Sequence, residues 1–208
     1  LHRMELSMTL NTQEACEIIR DARAEAIVVS TMSAMNCMDQ IDPDYALGLS
    51  SVPLMGGAAG LALGLALSVP QRKVIVLDGD ASLLMELGVL ATVAGARPAN
   101  LYHFVFANGV QFNGGANLAV AGSAPIDFCA LAKVAGYASA TRFDQAAHLR
   151  EGIASCLAQP APALIELTIA PTAPRFGPTF LQPEQPDARF ERMGREAQRL
   201  MRNLGTLA

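Results

Sequence analysis

Tryptophan is absent from the 208-residue chain, and aromatic residues make up only 5% of it. Proteins that bind single-stranded nucleic acid stack the bases on aromatic side chains, and nucleic-acid surfaces are generally basic. The formal net charge here is −4, which also disfavours an anionic membrane as a partner. We therefore expect neither nucleic acid nor a membrane surface among the partners of this chain.

Cysteine is scarce as well, and its four residues are far apart in the sequence and form no CxxC pair. This spacing is not typical of a zinc site or of a disulfide framework. We expect free, buried thiols in a reducing, cytoplasmic environment. The four residues are Cys16, Cys37, Cys129 and Cys156.

Residues 52–69 carry no charge, and the stretch is long enough to raise the question of a transmembrane helix. Pro53 and several glycines interrupt it, Asp78 and Asp80 follow soon after, and no basic flank sets an orientation. The glycine spacing also suits a helix pressed against a sheet. We expect no membrane span, and residues 1–8 are too short and too polar for a signal peptide.

Apolar strands alternate with helix-length segments along the chain, whose length fits one domain. This alternation predicts an α/β fold, a doubly wound parallel sheet with helices on both faces. The predicted strands are 26–30, 45–49, 73–77, 101–107, 139–143 and 164–169. The predicted helices are 11–23, which begins with a capping box of Asn11 and Glu14, 57–67, 82–94, 127–135, which Asp127 caps and Gly136 stops, one capped by Asp144, and 188–203. Between the first two strands we expect an irregular stretch that contains Asp42-Pro43-Asp44.

The composition divides the chain at Pro171. Residues 1–170 are predicted to form the α/β domain, whereas the sequence after Pro171 is Pro-rich and polar until a charged helix begins. We expect residues 171–208 to be an arm that packs on a partner rather than a second domain.

Two neighbouring strands of the predicted sheet end in oxygen donors. Asp80 follows the apolar run 74–77, and Asn108 follows the run 101–107. A strand, a helix and a parallel strand bring such ends side by side, at the edge where ligands of these sheets bind. Mg²⁺ prefers hard oxygen ligands and usually keeps positions for phosphates. The pattern predicts a magnesium diphosphate site held by Asp80, by the Asn108 side chain and by the backbone carbonyl of Val110.

The turn Gly79-Asp80-Ala81-Ser82 carries the Asp80 carboxylate and is followed at once by a predicted helix. Free N–H groups and the positive end of the helix dipole suit a diphosphate there. An isolated turn of this kind is more often an ordinary helix cap. The paired Asn108 at βαβ spacing favours the metal site.

These residues resemble the thiamine-diphosphate motif, a Gly-Asp-Gly followed, one helix and one strand later, by Asn-Asn. Gly79-Asp80-Ala81 and Ala107-Asn108 occupy those places, with alanine replacing one glycine and one asparagine. Leu54-Met55-Gly56 resembles the segment whose apolar side chain holds the coenzyme in its V conformation. The resemblance gives that role to Met55; the alternative is a methionine of the core.

A closer resemblance is to the small cofactor-binding subunit or domain of phosphonopyruvate and sulfopyruvate decarboxylases. It covers residues 27–170 and implies the diphosphate-binding half of the thiamine-diphosphate-binding fold, with thiamine diphosphate and Mg²⁺ as cofactors. Met55, Gly56, Gly79, Asp80, Ala81, Ser82, Asn108 and Val110 would bind them. The segments that carry the likeness are 60–66, 84–85, 90–92, 98–101, 114–115 and 135–137.

The resemblance also implies that a second domain, which binds the pyrimidine ring of the coenzyme, comes from another polypeptide. In this family, a Glu from a separate pyrimidine-binding domain activates the coenzyme, and the chain has room only for the diphosphate half. Glu86 lies on the wrong side of the predicted site for that task. We expect no certain catalytic residue in this chain and a pyrimidine-binding α/β subunit as partner, in a heterodimer or heterotetramer.

Two departures from the family concern the substrate. Residues 30–38 lack the family's Arg, and its Ser-Thr-Gly-Gly-Gln loop is replaced by Phe112-Asn113-Gly114-Gly115-Ala116. Losing a cation and a hydroxyl disfavours a doubly charged phosphonate, so we predict a less anionic, small 2-oxo acid. Its decarboxylation would end in an aldehyde or, by carboligation, in an acyloin. The substrate-side candidates are Gln111, Phe112, Asn113 and Asn117.

Two alternatives remain at this stage. A Rossmann-type nucleotide-binding protein would keep the fold, but Gly56 to Gly64 do not form G-x-G-x-x-G after a strand. A non-catalytic assembly subunit would explain the two alanine replacements, but not the retention of Asp80 and Asn108. His103, inside a strand, and His148, on a helix, are interpreted as structural.

Overall fold

The structure, a computed structural model, describes residues 9–52, 55–113, 116–120, 125–172 and 186–207. Six parallel strands form one sheet in the order β2-β1-β3-β4-β8-β7, which confirms the predicted parallel α/β sheet. A separate antiparallel hairpin pairs β5 with β6. The strands are β1 (Ile27–Ser30), β2 (Gly48–Ser50), β3 (Val74–Gly79), β4 (Leu101–Ala107), β5 (Val110–Asn113), β6 (Ala116–Ala119), β7 (Ser139–Phe143) and β8 (Ala163–Thr168).

Helices cover both faces of this sheet. Buried residues of α3, α5 and α6 pack on one face, and those of α1, α2 and α7 pack on the other. The central strands β3 and β4 are therefore buried on both sides, as parallel strands generally are. The helices are α1 (Thr12–Ala22), α2 (Met32–Ile41), α3 (Gly57–Ser68), α4 (Asp80–Met85), α5 (Val89–Ala96), α6 (Phe128–Ala135), α7 (Ala146–Cys156) and α8 (Pro186–Asn203).

Two helix boundaries follow from side chains that the sequence makes visible. The N–H of Glu14 donates to Oδ1 of Asn11 at 2.9 Å, which forms the expected capping box of α1. Asp127 caps α6 in the same way through the N–H of Ala130, at 2.8 Å. Gly136 ends α6 at a φ of +107°, a conformation that favours glycine.

Other elements differ from the prediction. Helix α2 occupies a stretch that we expected to be irregular, because it lacks a side-chain cap and a strong apolar period. The single helix expected over 82–94 is two helices, with Glu86 and Gly88 at the break. Gln145, not Asp144, is the N-cap of α7, and the β5–β6 hairpin was not expected.

The C-terminal helix α8 packs along the edge strand β2 of its own chain. The carboxylate of Glu196 accepts a hydrogen bond from the N–H of Ser50 at 2.7 Å, and Arg189 pairs with Asp39 on α2 at 2.7 Å. This helix satisfies a backbone donor that an open edge strand would expose. The Pro-rich part of the expected arm, 173–185, lies outside the described residues, and packing of the arm on a partner stays a prediction.

Two expectations from composition can be compared with the fold. All four cysteines are free thiols; Cys37 is partly buried and the other three are buried. Among the described residues, no helix is both long enough and apolar enough to cross a bilayer, and the uncharged stretch forms α3 against the sheet instead.

Replacing Glu196 by Ala should destabilise the chain by about 2 kcal/mol, because it removes a charged acceptor from a buried backbone donor. Chemical denaturation followed by circular dichroism measures this loss. Glu191→Ala is the matched control on the same helix, because the Glu191 side chain is 76% exposed. This substitution should change the free energy of unfolding by less than about 0.5 kcal/mol. Equal effects of the two substitutions would contradict the role given to Glu196.

Candidate functional site

The carboxyl ends of β3 and β4 meet around the side chain of Asp80. Asp80 is the first residue of α4 and is only 4% exposed. Its Oδ1 accepts a hydrogen bond from the N–H of Ala81 at 2.8 Å, and its Oδ2 accepts one from the N–H of Gly109 at 2.6 Å. The loops after the two strands are therefore in direct contact, as the sequence predicts.

A tight turn follows β4. Oδ1 of Asn108 accepts a hydrogen bond from the N–H of Val110 at 2.9 Å, a local contact typical of asparagine in turns. Gly109 has a φ of +72°, a conformation that favours glycine, which explains why glycine stands between Asn108 and Val110. The turn keeps the Asn108 side chain beside the residue that contacts Asp80. Ligation of a metal by Asn108 and by the Val110 carbonyl stays a prediction.

The electrostatics around Asp80 suit a cation. Burial raises the pKa of Asp80, and the hydrogen bonds from backbone N–H groups oppose this shift only in part. Among the residues that the structure describes, no Lys, Arg or His forms an ion pair with this carboxylate. A buried carboxylate is costly without a counter-charge, so a divalent cation bound here would be stabilising. This donor set of oxygens fits Mg²⁺.

A second turn lies against the start of α4. The N–H of Gly56 donates to Oγ of the buried Ser82 at 2.8 Å. Met55 is partly buried, and its Sδ lies 3.9 Å from Nε2 of Gln111 on β5. Met55 is therefore not enclosed as a core methionine would be, and it shares the edge of the sheet with Ser82 and Gln111. Leu54 lies outside the described residues.

The substrate-side candidates are on the hairpin that follows β4. Gln111 contacts Met55, and Nδ2 of Asn117 donates to the carbonyl of Thr172 at 2.9 Å. The backbones of Phe112 and Asn113 belong to β5, but their side chains are not among those described. The hairpin brings Gln111 to the edge of the sheet where Met55 lies, while the amide of Asn117 binds the backbone of Thr172 beyond β8.

A buried polar chain, which we did not predict, supports the strand end that carries Asp80. Asp78 accepts a hydrogen bond from the N–H of Gly79 at 2.9 Å, and its other oxygen lies 3.4 Å from Nε2 of His103. Nδ1 of His103 lies 3.4 Å from the hydroxyl of Tyr137, and burial, with the nearby Asp78 charge, raises the pKa of Tyr137. This places His103 in a structural role, as interpreted from the sequence. The sequence did contain a signal for this buried chain: the polar residues Asp78 and His103 stand on adjacent strands that are otherwise apolar.

A second cluster of possible metal ligands lies at the start of α6. One ligand atom each of Asp127, Cys129 and Glu166 lie within 4.8 Å of one another. However, Arg142 bridges the two carboxylates at 2.8 and 2.9 Å, and Glu166 also accepts a hydrogen bond from the N–H of Cys129. Burial raises the pKa of the Cys129 thiol to about 11. The cluster is thus an ion-paired cap of α6.

The comparisons with known proteins agree with this geometry. Residues 27–167 match the family model described as thiamine pyrophosphate enzyme, C-terminal TPP binding domain. That match spans the whole parallel sheet except the last residue of β8, and it includes Asp80 and Asn108. The chain belongs to the thiamine pyrophosphate enzymes, through the domain of that family that binds the coenzyme. The expected family and fold are confirmed, and the Rossmann alternative has no support.

Curated proteins to which the chain is similar include decarboxylases. The chain is 36% identical over 155 residues to a phosphonopyruvate decarboxylase of Streptomyces viridochromogenes, covering 74% of this chain and 37% of the relative. It is 57% identical over 47 residues to the sulfopyruvate decarboxylase subunit beta of Methanothermobacter thermautotrophicus, covering 23% of this chain and 25% of that subunit. A thiamin diphosphate-dependent enzyme from Mycobacterium smegmatis shares the fold, with a TM-score of 0.65 and 18% identity over 81% of this chain and 34% of that one.

Replacing Gly56 by Ala should cost about 3 kcal/mol, because the residue has a φ of +90° and an added Cβ would overlap the Cβ and Cγ of Glu86. Gly109→Ala is the matched control: its φ is +72°, but its Cβ would meet nothing within 4 Å, so about 1 kcal/mol is expected. Urea unfolding of both variants measures the difference. Equal losses would show that Glu86 does not pack against Gly56.

Proposed function

We propose that this chain is the diphosphate-binding subunit of a heteromeric, thiamine-diphosphate-dependent 2-oxo acid decarboxylase, a lyase. The observation that carries the proposal is the buried Asp80 carboxylate, held by backbone donors beside the Asn108 turn. Membership of the thiamine pyrophosphate enzymes and the names of the curated relatives support it.

In this proposal Asp80, the Asn108 side chain and the Val110 carbonyl hold Mg²⁺. The hydrogen bonds that the two side chains already accept leave lone pairs free, because a carboxylate or amide oxygen can accept more than one partner. Gly79, Ala81 and Ser82 supply the helix start against which the diphosphate lies. Met55 and Gly56 would contact the coenzyme, which when bound would supply the electron sink for loss of CO₂.

The proposal includes a partner. The chain spans little more than a third of the phosphonopyruvate decarboxylases that it matches, and another relative is named as a beta subunit. A pyrimidine-binding α/β subunit would add the activating Glu and the other wall of the site. The assembly would be a heterodimer or a heterotetramer.

The proposed substrate is a small 2-oxo acid with less negative charge than phosphonopyruvate. Helix α2, which follows β1 at the carboxyl edge, carries no Lys or Arg, and its Asp39 is paired with Arg189 and Arg192 of α8. This region therefore offers no free cation of its own for a phosphonate. Aldehyde release and carboligation are both compatible with such a site.

Asp80→Ala should abolish Mg²⁺-dependent binding of thiamine diphosphate to the partnered protein. The substitution removes a metal ligand and leaves the negative diphosphate uncompensated. Isothermal titration calorimetry with and without Mg²⁺ measures the effect. Asp144→Ala, at an exposed carboxylate, is the control and should bind as the wild type does. A wild-type assembly without metal-dependent heat would instead support a non-catalytic subunit.

The purified assembly should decarboxylate pyruvate with a kcat/KM about a hundredfold higher than that for phosphonopyruvate, because helix α2 at the carboxyl edge carries no Lys or Arg to pair with the extra charges. Measuring CO₂ release from both substrates at equal concentrations tests this. Comparable rates with phosphonopyruvate would show that the substrate prediction is wrong.

A further inference from the structure

Two of the four cysteines lie beside each other where helices α1 and α2 pack together. Cys16 lies on the buried side of α1, and Cys37 lies on α2 at the border of the same apolar cluster. The sulfur of Cys16 lies 3.9 Å from the carbonyl oxygen of Ala34, three residues before Cys37. Carbonyl groups of a helix point toward its C-terminal end. This contact therefore places the Cys16 sulfur beside the turn of α2 that carries Cys37.

The two thiols also differ in their readiness to lose a proton. The Cys16 thiol lies within hydrogen-bonding reach of the Cys37 sulfur, and this contact lowers the pKa of Cys37 and raises that of Cys16. Burial and the nearby negative charge of Glu17 add to the rise in the pKa of Cys16, and they oppose the fall in the pKa of Cys37 only in part. Cys37 is therefore the one of the pair that forms a thiolate, and Cys16 keeps its proton.

Exposure to solvent separates the two thiols further. Cys37 is partly buried, whereas the other three cysteines are buried. A reactive cysteine needs an accessible sulfur and thiolate character, because the thiolate is the nucleophile. Burial raises the pKa of the two remaining thiols, Cys129 and Cys156. Cys37 is therefore the thiol of this chain that an oxidant in solution reaches first, and Cys16 lies behind it.

We propose that Cys37 and Cys16 form a redox-active dithiol, in which Cys37 reacts with a peroxide and Cys16 then closes an internal disulfide. This inference goes beyond the proposed function and does not depend on it. An accessible cysteine with a lowered pKa, placed next to a second thiol that can resolve its oxidised form, is the arrangement of redox-sensitive cysteine sites. The contact between α1 and α2 provides that arrangement within one chain.

The reaction has two steps. The Cys37 thiolate attacks one oxygen of hydrogen peroxide: an S–O bond forms, the O–O bond breaks, and the hydroxide that leaves takes up a proton to become water. Cys16 then loses its proton, and its sulfur attacks the sulfur of the Cys37 sulfenic acid, so that an S–S bond forms, the S–O bond breaks and a second water leaves. The two cysteines together lose two electrons, and the peroxide is reduced to two waters. A dithiol reductant reverses the bond by thiol–disulfide exchange.

The test treats the reduced, folded chain with hydrogen peroxide and maps its disulfides by mass spectrometry of peptides, after the remaining thiols have been blocked. We expect a Cys16–Cys37 bond, with Cys129 and Cys156 still reduced. Cys37→Ser should slow the loss of free thiols at least about tenfold. Cys16→Ala should leave Cys37 as a sulfenic acid, which dimedone captures. Cys156→Ala is the matched control and should leave the pairing unchanged, whereas oxidation of Cys129 or Cys156 before Cys37 would overturn the proposal.

The unfolded chain provides the control for proximity. Cys129 and Cys156 pack on opposite faces of the folded sheet, but in the unfolded chain they close a loop of similar length to that between Cys16 and Cys37. Loop-closure entropy depends only weakly on length, so both pairs should form about equally often in concentrated urea. Native conditions should select the Cys16–Cys37 bond. The same mixture of disulfides with and without urea would overturn the proposal.

Thermal unfolding provides a second readout. The bond closes a loop of residues 16–37, which restricts the unfolded chain and should raise the melting temperature of the oxidised protein by about 5 °C. A dithiol reductant should reverse this rise, and Cys37→Ser treated with peroxide should not show it. A lower melting temperature after pairing would mean that the bond distorts the contact between α1 and α2, and it would overturn the proposal.

Discussion

The hydrogen bond from the Gly109 N–H to the Asp80 carboxylate, at 2.6 Å, joins the ends of two neighbouring parallel strands. Everything proposed for the site depends on this contact, because it places the acidic turn before α4 beside the turn that carries Asn108. Parallel strands lie in fixed register in the sheet, with Gly79 opposite Phe106, so the two turns cannot separate without breaking the core. The two turns are thus held together by the fold itself, so an ion bound between them would not have to order them.

Polar contacts hold the buried interior behind Asp80 in place, whereas part of the surface in front of it is exposed. Asp78, His103 and Tyr137 form a buried chain that ends at the N–H of Gly79, one residue before Asp80. On the other side, Met55 is only partly buried and α3 exposes leucines and glycines. The site is therefore packed on its inner side and exposed on its outer side.

Helix α8 shows that this chain covers some of its exposed edges by itself. Glu196 satisfies the N–H of Ser50 on edge strand β2, and arginines of α8 pair with Asp39 on α2. No comparable cover lies over the outer side of α3 within the described part of the chain. The difference is chemical: the β2 edge exposes a hydrogen-bond donor, for which the charged helix α8 supplies an acceptor, whereas the outer side of α3 is apolar.

The sequence by itself determined the parallel α/β class, five of the six sheet strands to within about two residues at each end, the capped starts of α1 and α6, and the pairing of the Asp80 and Asn108 turns. These follow from local patterns: apolar runs, capping residues and βαβ spacing. Only the tertiary structure decided that α2 is a helix, that the stretch after Asp80 breaks at Glu86, and that α8 lies on β2. It also decided that Asp78 meets His103 and that the glycines of α3 face outward. These depend on contacts between residues distant in sequence, which no local pattern encodes.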